Sequence, residues 1–201
     1  DRFTRNPLFL GIRYGYLWGR DLSAELSKPE FVAGLKALAA AGLTLDTANP
    51  SVKLLEDVIR VSDAVPDLRV VIDHLPAIVV AKNSPDRVVY ERHLRTLSQR
   101  PQVYVKVSAV LRKTGDAPVS TRLADHKEKI DILWETFGED RLLYGSDWPN
   151  SDPSASYPQV LAIVREYFDA KGRSAAEKYF WRNSVKAYRW KRRDPATQPQ
   201  A

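Results

Sequence analysis

Two residues of this chain have the types and the setting to do chemistry together, Asp147 and His74. Asp147 follows the apolar run Leu142-Leu143-Tyr144, too brief and too β-rich for a helix. Gly145 and Ser146 then let the backbone turn, and Pro149 forbids any further ladder. The carboxylate is therefore expected at the C-terminal lip of a buried strand, where α/β folds keep their chemistry. A charge held there is costly unless it is paired or used. The competing reading is an Asp that caps the next turn. His74 follows Asp73 at the end of another apolar strand. An imidazole in that place can polarise a carbonyl, orient a nucleophile or bind metal, or it can satisfy a carbonyl in a turn.

Weaker candidates surround these two. Lys106 and Ser108 alternate with Val105 and Val107, so they point to the side of the strand opposite the valines. A buried Lys106 needs an anionic partner, either a substrate or an Asp; the alternative is a lysine that snorkels out between helices. Arg13 ends a first apolar run, and its guanidinium suits either a substrate carboxylate or a structural salt bridge. Trp148, Tyr16 and Trp18 are candidates to wall a pocket, although loop aromatics also simply pack. His93 and His126 fall in helices and are expected to meet solvent or a helix interface. No two of the three histidines stand two residues apart, so the chain carries no His-x-His metal pair.

The elements that would position these residues alternate. Strands are expected over Leu8–Arg13, Leu43–Asp46, Leu68–Ile72, Val103–Val107 and Leu142–Tyr144. Between them, Ser27-Lys28-Pro29-Glu30 reads as a capping box that opens a helix ending at Gly42. Ser51 caps a second helix, Ser84-Pro85 starts a third, and a fourth with Ile130, Leu133, Trp134 and Phe137 inward closes at Gly138. One helix between successive strands is the βαβ pattern of a parallel sheet. Loops leaving strands are long and aromatic while loops leaving helices are short, the asymmetry of a (β/α) barrel. No glycine-rich phosphate turn follows any strand, which argues against a doubly wound nucleotide fold.

Composition excludes several classes. At 201 residues, 44% hydrophobic and 28% charged, the chain suits one globular domain. No apolar run is long enough to cross a bilayer, and no secretory pattern opens the chain, so no membrane partner is expected. The charge of +6 is scattered and interleaved with acids, apart from Lys191-Arg192-Arg193, and no nucleic-acid partner is expected. Cys is absent, which fits a cytoplasmic, reducing compartment. Met is absent too, position 1 included, so the sequence is expected to start inside a longer one. The basic tail 191–201 has no apolar anchor and is expected to be disordered.

GSDWP at 145–149, DHLP at 73–76, YVKVSAV at 104–110 and LGIRYG at 10–15 come in the order found in the amidohydrolase-related lactonases. The chain resembles that family, with its fuconolactonase-like and pyrone-dicarboxylate lactonase-like members, from about residue 8 to residue 190. The resemblance implies an α/β fold, a TIM-type barrel that is partial here, with five of eight strands and three preceding LGIR. Residues 1–190 would be its domain. It implies hydrolysis of a small lactone, with Asp147 as general base and His74 polarising the carbonyl. Arg13, Lys106 and Trp148 would position an acidic or sugar-derived substrate. The family's His-x-His lies upstream, so no metal site is expected within this chain, and one divalent metal such as zinc only in the intact enzyme. On these expectations the isolated chain hydrolyses lactones negligibly, and its two sheet edges favour a homo-oligomer or aggregation. The alternatives are a non-catalytic remnant and a metal-dependent decarboxylase on the same scaffold.

Overall fold

The computed structural model describes residues 3, 5–78, 80–113 and 115–191. Its centre is a parallel sheet of β1 (Gly11–Arg13), β2 (Thr44–Asp46), β3 (Arg69–Ile72), β4 (Val103–Val107) and β5 (Leu142–Tyr144). The strands lie side by side in chain order. A doubly wound sheet reverses direction partway, whereas an unbroken sequential order is that of a barrel wall. These are five consecutive βα units of a TIM-type barrel.

Helices α2 (Pro29–Ala40), α3 (Val52–Ala64), α4 (Pro85–Ser98) and α5 (Lys127–Phe137) connect the strands, and a four-residue α1 (Leu22–Glu25) precedes them. After β5 come α6 (Tyr157–Ala170), α7 (Arg173–Glu177), a π-helical turn (Lys178–Arg182) and α8 (Asn183–Tyr188). Ser51 caps α3 by accepting the Leu54 N–H at 3.1 Å. Gly42 and Gly138 end their helices with φ of +69° and +70°, a region where a side chain is penalised. Among the described residues no helix is long and apolar enough to cross a membrane.

Two local expectations are corrected. The first strand begins at Gly11, not Leu8, because Asn6 holds a turn: its side chain accepts the Leu8 N–H at 2.9 Å and its carbonyl the Phe9 N–H. The capping box at Ser27 does not form. Ser27 instead ends α1, where its hydroxyl donates to the Ala24 carbonyl at 2.6 Å, and Lys28 takes the N-cap place of α2 without a side-chain bond. The basic tail from residue 192 onward lies outside the described residues.

The alternation of the strands divides the core in two. Leu45, Val70, Ile72, Val103, Val105, Val107 and Leu142 point outward to the helices and form the main cluster. Val71, Tyr104 and Leu143 point the other way, into what would be the barrel interior, and meet Ala187 of α8. The C-terminal helix thus closes the floor of the inner face. Thr44 and Arg69 both donate to the Ala187 carbonyl at 2.7 Å, cations and donors being favoured at a helix C-terminus. The same segment covers the β5 edge, which had been expected bare: Asn183 donates to the Leu142 carbonyl at 2.9 Å, and Tyr179 to the Val107 carbonyl at 2.7 Å.

Candidate active site

Above the floor, the inner face becomes charged. Register places Arg13 beside Asp46, and Asp73, Lys106 and Ser108 follow on the same side at intervals of two. Asp73 is fully buried; Arg13 reaches one of its oxygens at 2.6 Å and Lys106 the other at 2.6 Å. Both contacts neutralise the carboxylate, yet neither has hydrogen-bonding angles, so it is ion-paired rather than fully satisfied. Lys106 also reaches Asp46 at 3.3 Å, and Tyr188 of α8 donates to the other Asp46 oxygen at 2.8 Å. Burial raises the Asp46 pKa, against the pull of Lys106. Gly145 makes room for this lysine. A Cβ there would meet Lys106 Cδ and Ser108 Cβ, each at 3.0 Å.

The strand exits share one backbone device. Asn49, His74, Ala109 and Asp147 follow β2, β3, β4 and β5, each left-handed with φ between +52° and +61°. Asn, Asp and His tolerate that region better than most residues, but each still costs about 1 kcal/mol. Such strain gathers where a structure fixes functional side chains. Here it brings His74 and Asp147 together, with His74 Nε2 lying 3.4 Å from Asp147 Oδ1. His74 Nδ1 meets the Ser108 hydroxyl at 2.7 Å. A carboxylate only accepts, so Nε2 carries the proton and Nδ1 accepts from Ser108. Burial lowers the His74 pKa in spite of Asp147 beside it, and the ring is neutral at pH 7.

His74 and Asp147 line one cleft of about 550 Å³, together with Arg13, Trp18, Arg112 and Ser151. The structure therefore brings Asp147, His74 and Arg13 to one place. It puts Lys106 beneath the cleft, its ammonium occupied by two carboxylates and 5.6 Å above the Tyr188 ring. Trp148 is 59% exposed and lies outside the cleft, and Trp18 supplies the aromatic wall instead. Tyr16 bonds Asp57, and His126 meets the Ser120 carbonyl. His93 is buried in α4. Sequence reasoning missed Asp46, although it ends its strand as Asp73 ends the next. It also missed Tyr188, Arg112 and Ser151, for which no local pattern speaks.

A zinc site takes three or four protein donors. Among the described residues no group of three His, Cys, Asp or Glu could hold a metal. His74 and Asp147 supply two donors, and the oxygens of Asp73 are already held by cations. The donors present do not make up a zinc set by themselves.

A family profile described as amidohydrolase matches residues 2–190, and the chain belongs to that family. It is similar to an L-fucono-1,5-lactonase of Burkholderia multivorans, 30% identical over 117 residues, which are 55% of this chain and 39% of that protein. The chain thus spans less than half the length of this curated relative. Among solved structures, an amidohydrolase from Burkholderia multivorans with bound zinc superposes with a TM-score of 0.77 at 22% identity, over 90% of this chain and 64% of that one. A putative 2-pyrone-4,6-dicarboxylic acid hydrolase from Pseudomonas putida gives 0.69 at 22% identity, over 91% and 64%. At these identities the likeness speaks for the fold.

Proposed function

We propose that this member of the amidohydrolase family serves, in the whole protein, to hydrolyse a small lactone with water activated by Asp147. The carrying observation is the Ser108–His74–Asp147 chain of contacts at the wall of a polar cleft. The lactonase and pyrone hydrolase names of its relatives support the substrate class.

In this reading a water sits between Asp147 and the lactone carbonyl. The Asp147 carboxylate takes one proton as the water oxygen bonds to the carbonyl carbon. With Asp147 neutralised, its pull on the His74 N–H lapses, and that donor turns to the developing oxyanion. Ser108 holds the tautomer that makes this possible. The ring C–O bond then breaks, Asp147 returns its proton to the leaving oxygen, and a hydroxy acid results. Arg13, half exposed and already paired with Asp73, borders the path of the new carboxylate. Lys106 acts one layer below by holding Asp73. A cytoplasmic location belongs to the same reading, with which the lack of cysteine is compatible.

The test is lactone ring opening, followed by acid release, in the protein expressed from its complete gene. Asp147→Asn keeps a residue that accepts the left-handed backbone and removes the base. It is expected to lower kcat about a thousandfold without changing the melting temperature. Unchanged turnover would overturn the assignment.

A further inference from the structure

A second cavity, of about 230 Å³, opens on the helical side of the sheet, between α4, α5 and the segment that follows His74. Its apolar wall is formed by Pro76, Ile78, Val80, Tyr90 and Ile132. Lys129 of α5, half-buried, lines it too, and the chemistry of the cleft has no use for this amine.

Two lysines of α5, two residues apart, keep different company. Lys127 is held by Asp131 at 2.6 Å. Lys129 donates to the Val110 main-chain carbonyl at 2.5 Å, and among the described residues no carboxylate lies within ion-pairing distance of it. The other charged groups that face the cavity are engaged elsewhere. Lys82 pairs with Glu128 at 2.8 Å, Arg87 pairs with Glu91 at 2.6 Å, and Asp125 accepts from the Ser120 hydroxyl at 2.5 Å. Tyr90 is a neutral phenol, its pKa pushed up by burial to about 12. An ammonium at Lys129 brings three N–H groups to a wall that offers one carbonyl, whereas a neutral amine brings two and keeps the same bond. Burial accordingly lowers the Lys129 pKa to about 8. A lysine desolvated in this way is a nucleophile near neutral pH.

We infer that Lys129 is a site of acylation by small activated esters, seated in the cavity between α4 and α5. The amine lone pair forms the C–N bond to the acyl carbon, and the ester C–O bond breaks. The leaving oxygen departs with the electron pair, and one amine proton passes to it or to water. The amide product retains one N–H, enough for the bond to Val110 that the amine already makes. Val110 stands two residues beyond Ser108 and Pro76 two beyond His74, so an acyl group here would sit behind that pair, outside the cleft. Nothing in this inference depends on the lactone reading.

Labelling of the complete natural protein tests it without any substitution. The protein is treated with 4-nitrophenyl acetate over a series of pH values, and peptide mass spectrometry reads each lysine separately. At pH 7 an amine titrating near 8 is neutral about two-hundredfold more often than an ordinary one near 10.4, and its weaker basicity takes back part of that. Lys129 is therefore expected to be acetylated about tenfold faster than Lys127 or the exposed Lys36. Its rate should level off with a midpoint near pH 8, and the preference should vanish in denaturing urea. Labelling of Lys129 no faster than Lys36 at pH 7 overturns the inference, as does a rate that still climbs steeply above pH 9. A preference that survives in urea also overturns it, because the reactivity would then come from neighbouring sequence and not from the cavity.

Discussion

Arg69 and Arg13 point to the same face of the same sheet, one at its floor and one at its lip. Arg69 is 8% exposed and gives its guanidinium to the main-chain carbonyls of Ala187 and Gly42. Arg13 pairs with the buried Asp73 and leaves 45% of its side chain in solvent. The floor is finished by the chain itself, since α8 lies across it and its polar groups find main-chain partners. The lip is left open. Among the described residues, Asp73 lacks well-angled hydrogen bonds and the Ser151 hydroxyl has no hydrogen-bond partner, and the strand exits hold left-handed residues. One face of one sheet is thus closed by α8 at one end and left open at the other, where the proposed function puts its chemistry.

The sharpest way to break that division is at the floor. Arg69→Met keeps the stem and removes the head, leaving the Gly42 carbonyl without its donor and the Ala187 carbonyl with Thr44 alone. A loss of about 2 kcal/mol in urea unfolding is expected, from two lost charge-assisted bonds of which one strands its acceptor. The turnover of a lactone by the complete protein should not change. A variant that unfolds normally yet loses turnover would show that the floor also serves the site.

The sequence was most readable where period and punctuation agree. β4 and β5 fall at Val103–Val107 and Leu142–Tyr144 as expected, because Pro101 precedes the alternating run of the one and Gly145 ends the apolar run of the other. Asp147 and His74 were legible for the same reason, as polar residues closing apolar strands. Arg69 was not. Within a strand it looks like an intrusion, and the carbonyls of Ala187 and Gly42, 118 and 27 positions away, explain it. Ser27 shows the reverse failure, a local capping pattern overridden by α1, whose carbonyl took the hydroxyl first. Asn183 and Tyr188 act through contacts 41 and 142 residues away, and no short-range pattern encodes these.

A smaller effect is expected at Tyr188, where floor and lip touch. Its hydroxyl donates to Asp46, which Lys106 links to Asp73 and so to Arg13. Burial and the neighbouring Asp46 raise the phenol pKa, so it remains a donor throughout the working pH range. Tyr188→Phe removes one hydrogen bond to a charged acceptor and leaves the ring in place, at a cost of about 1 kcal/mol. Denaturant melts measure that loss, and lactone turnover shows whether it stays below the lip. A change in the free energy of activation larger than the change in stability would mean that α8 tunes the cleft through Asp46.

The finest distinction between the two regions is their response to acid, because titrating groups with shifted pKa values gather at the lip. Burial lowers the His74 pKa, so between its unfolded value of about 6.5 and the lower folded value the unfolded chain binds more protons. Stability therefore falls as pH drops through that window and is level above it. Asp46 acts in the opposite sense. Its folded pKa is raised, so the native state binds the extra proton, and acid between the folded value and the unfolded one near 3.9 adds stability. Asp147 and Asp73 favour a charged imidazole and Lys106 and Arg13 oppose it, and burial outweighs their sum. Stability measured from pH 8 downward is thus expected to decline first below about pH 6.5, with a recovering contribution from Asp46 only at lower pH. His74→Asn, which accepts the left-handed backbone, should flatten the first decline. Arg69→Met should lower the whole curve without changing its shape. If His74→Asn leaves the slope below pH 6.5 intact, the acid response arises elsewhere in the chain, and the imidazole at the lip is not the buried neutral group that the mechanism needs.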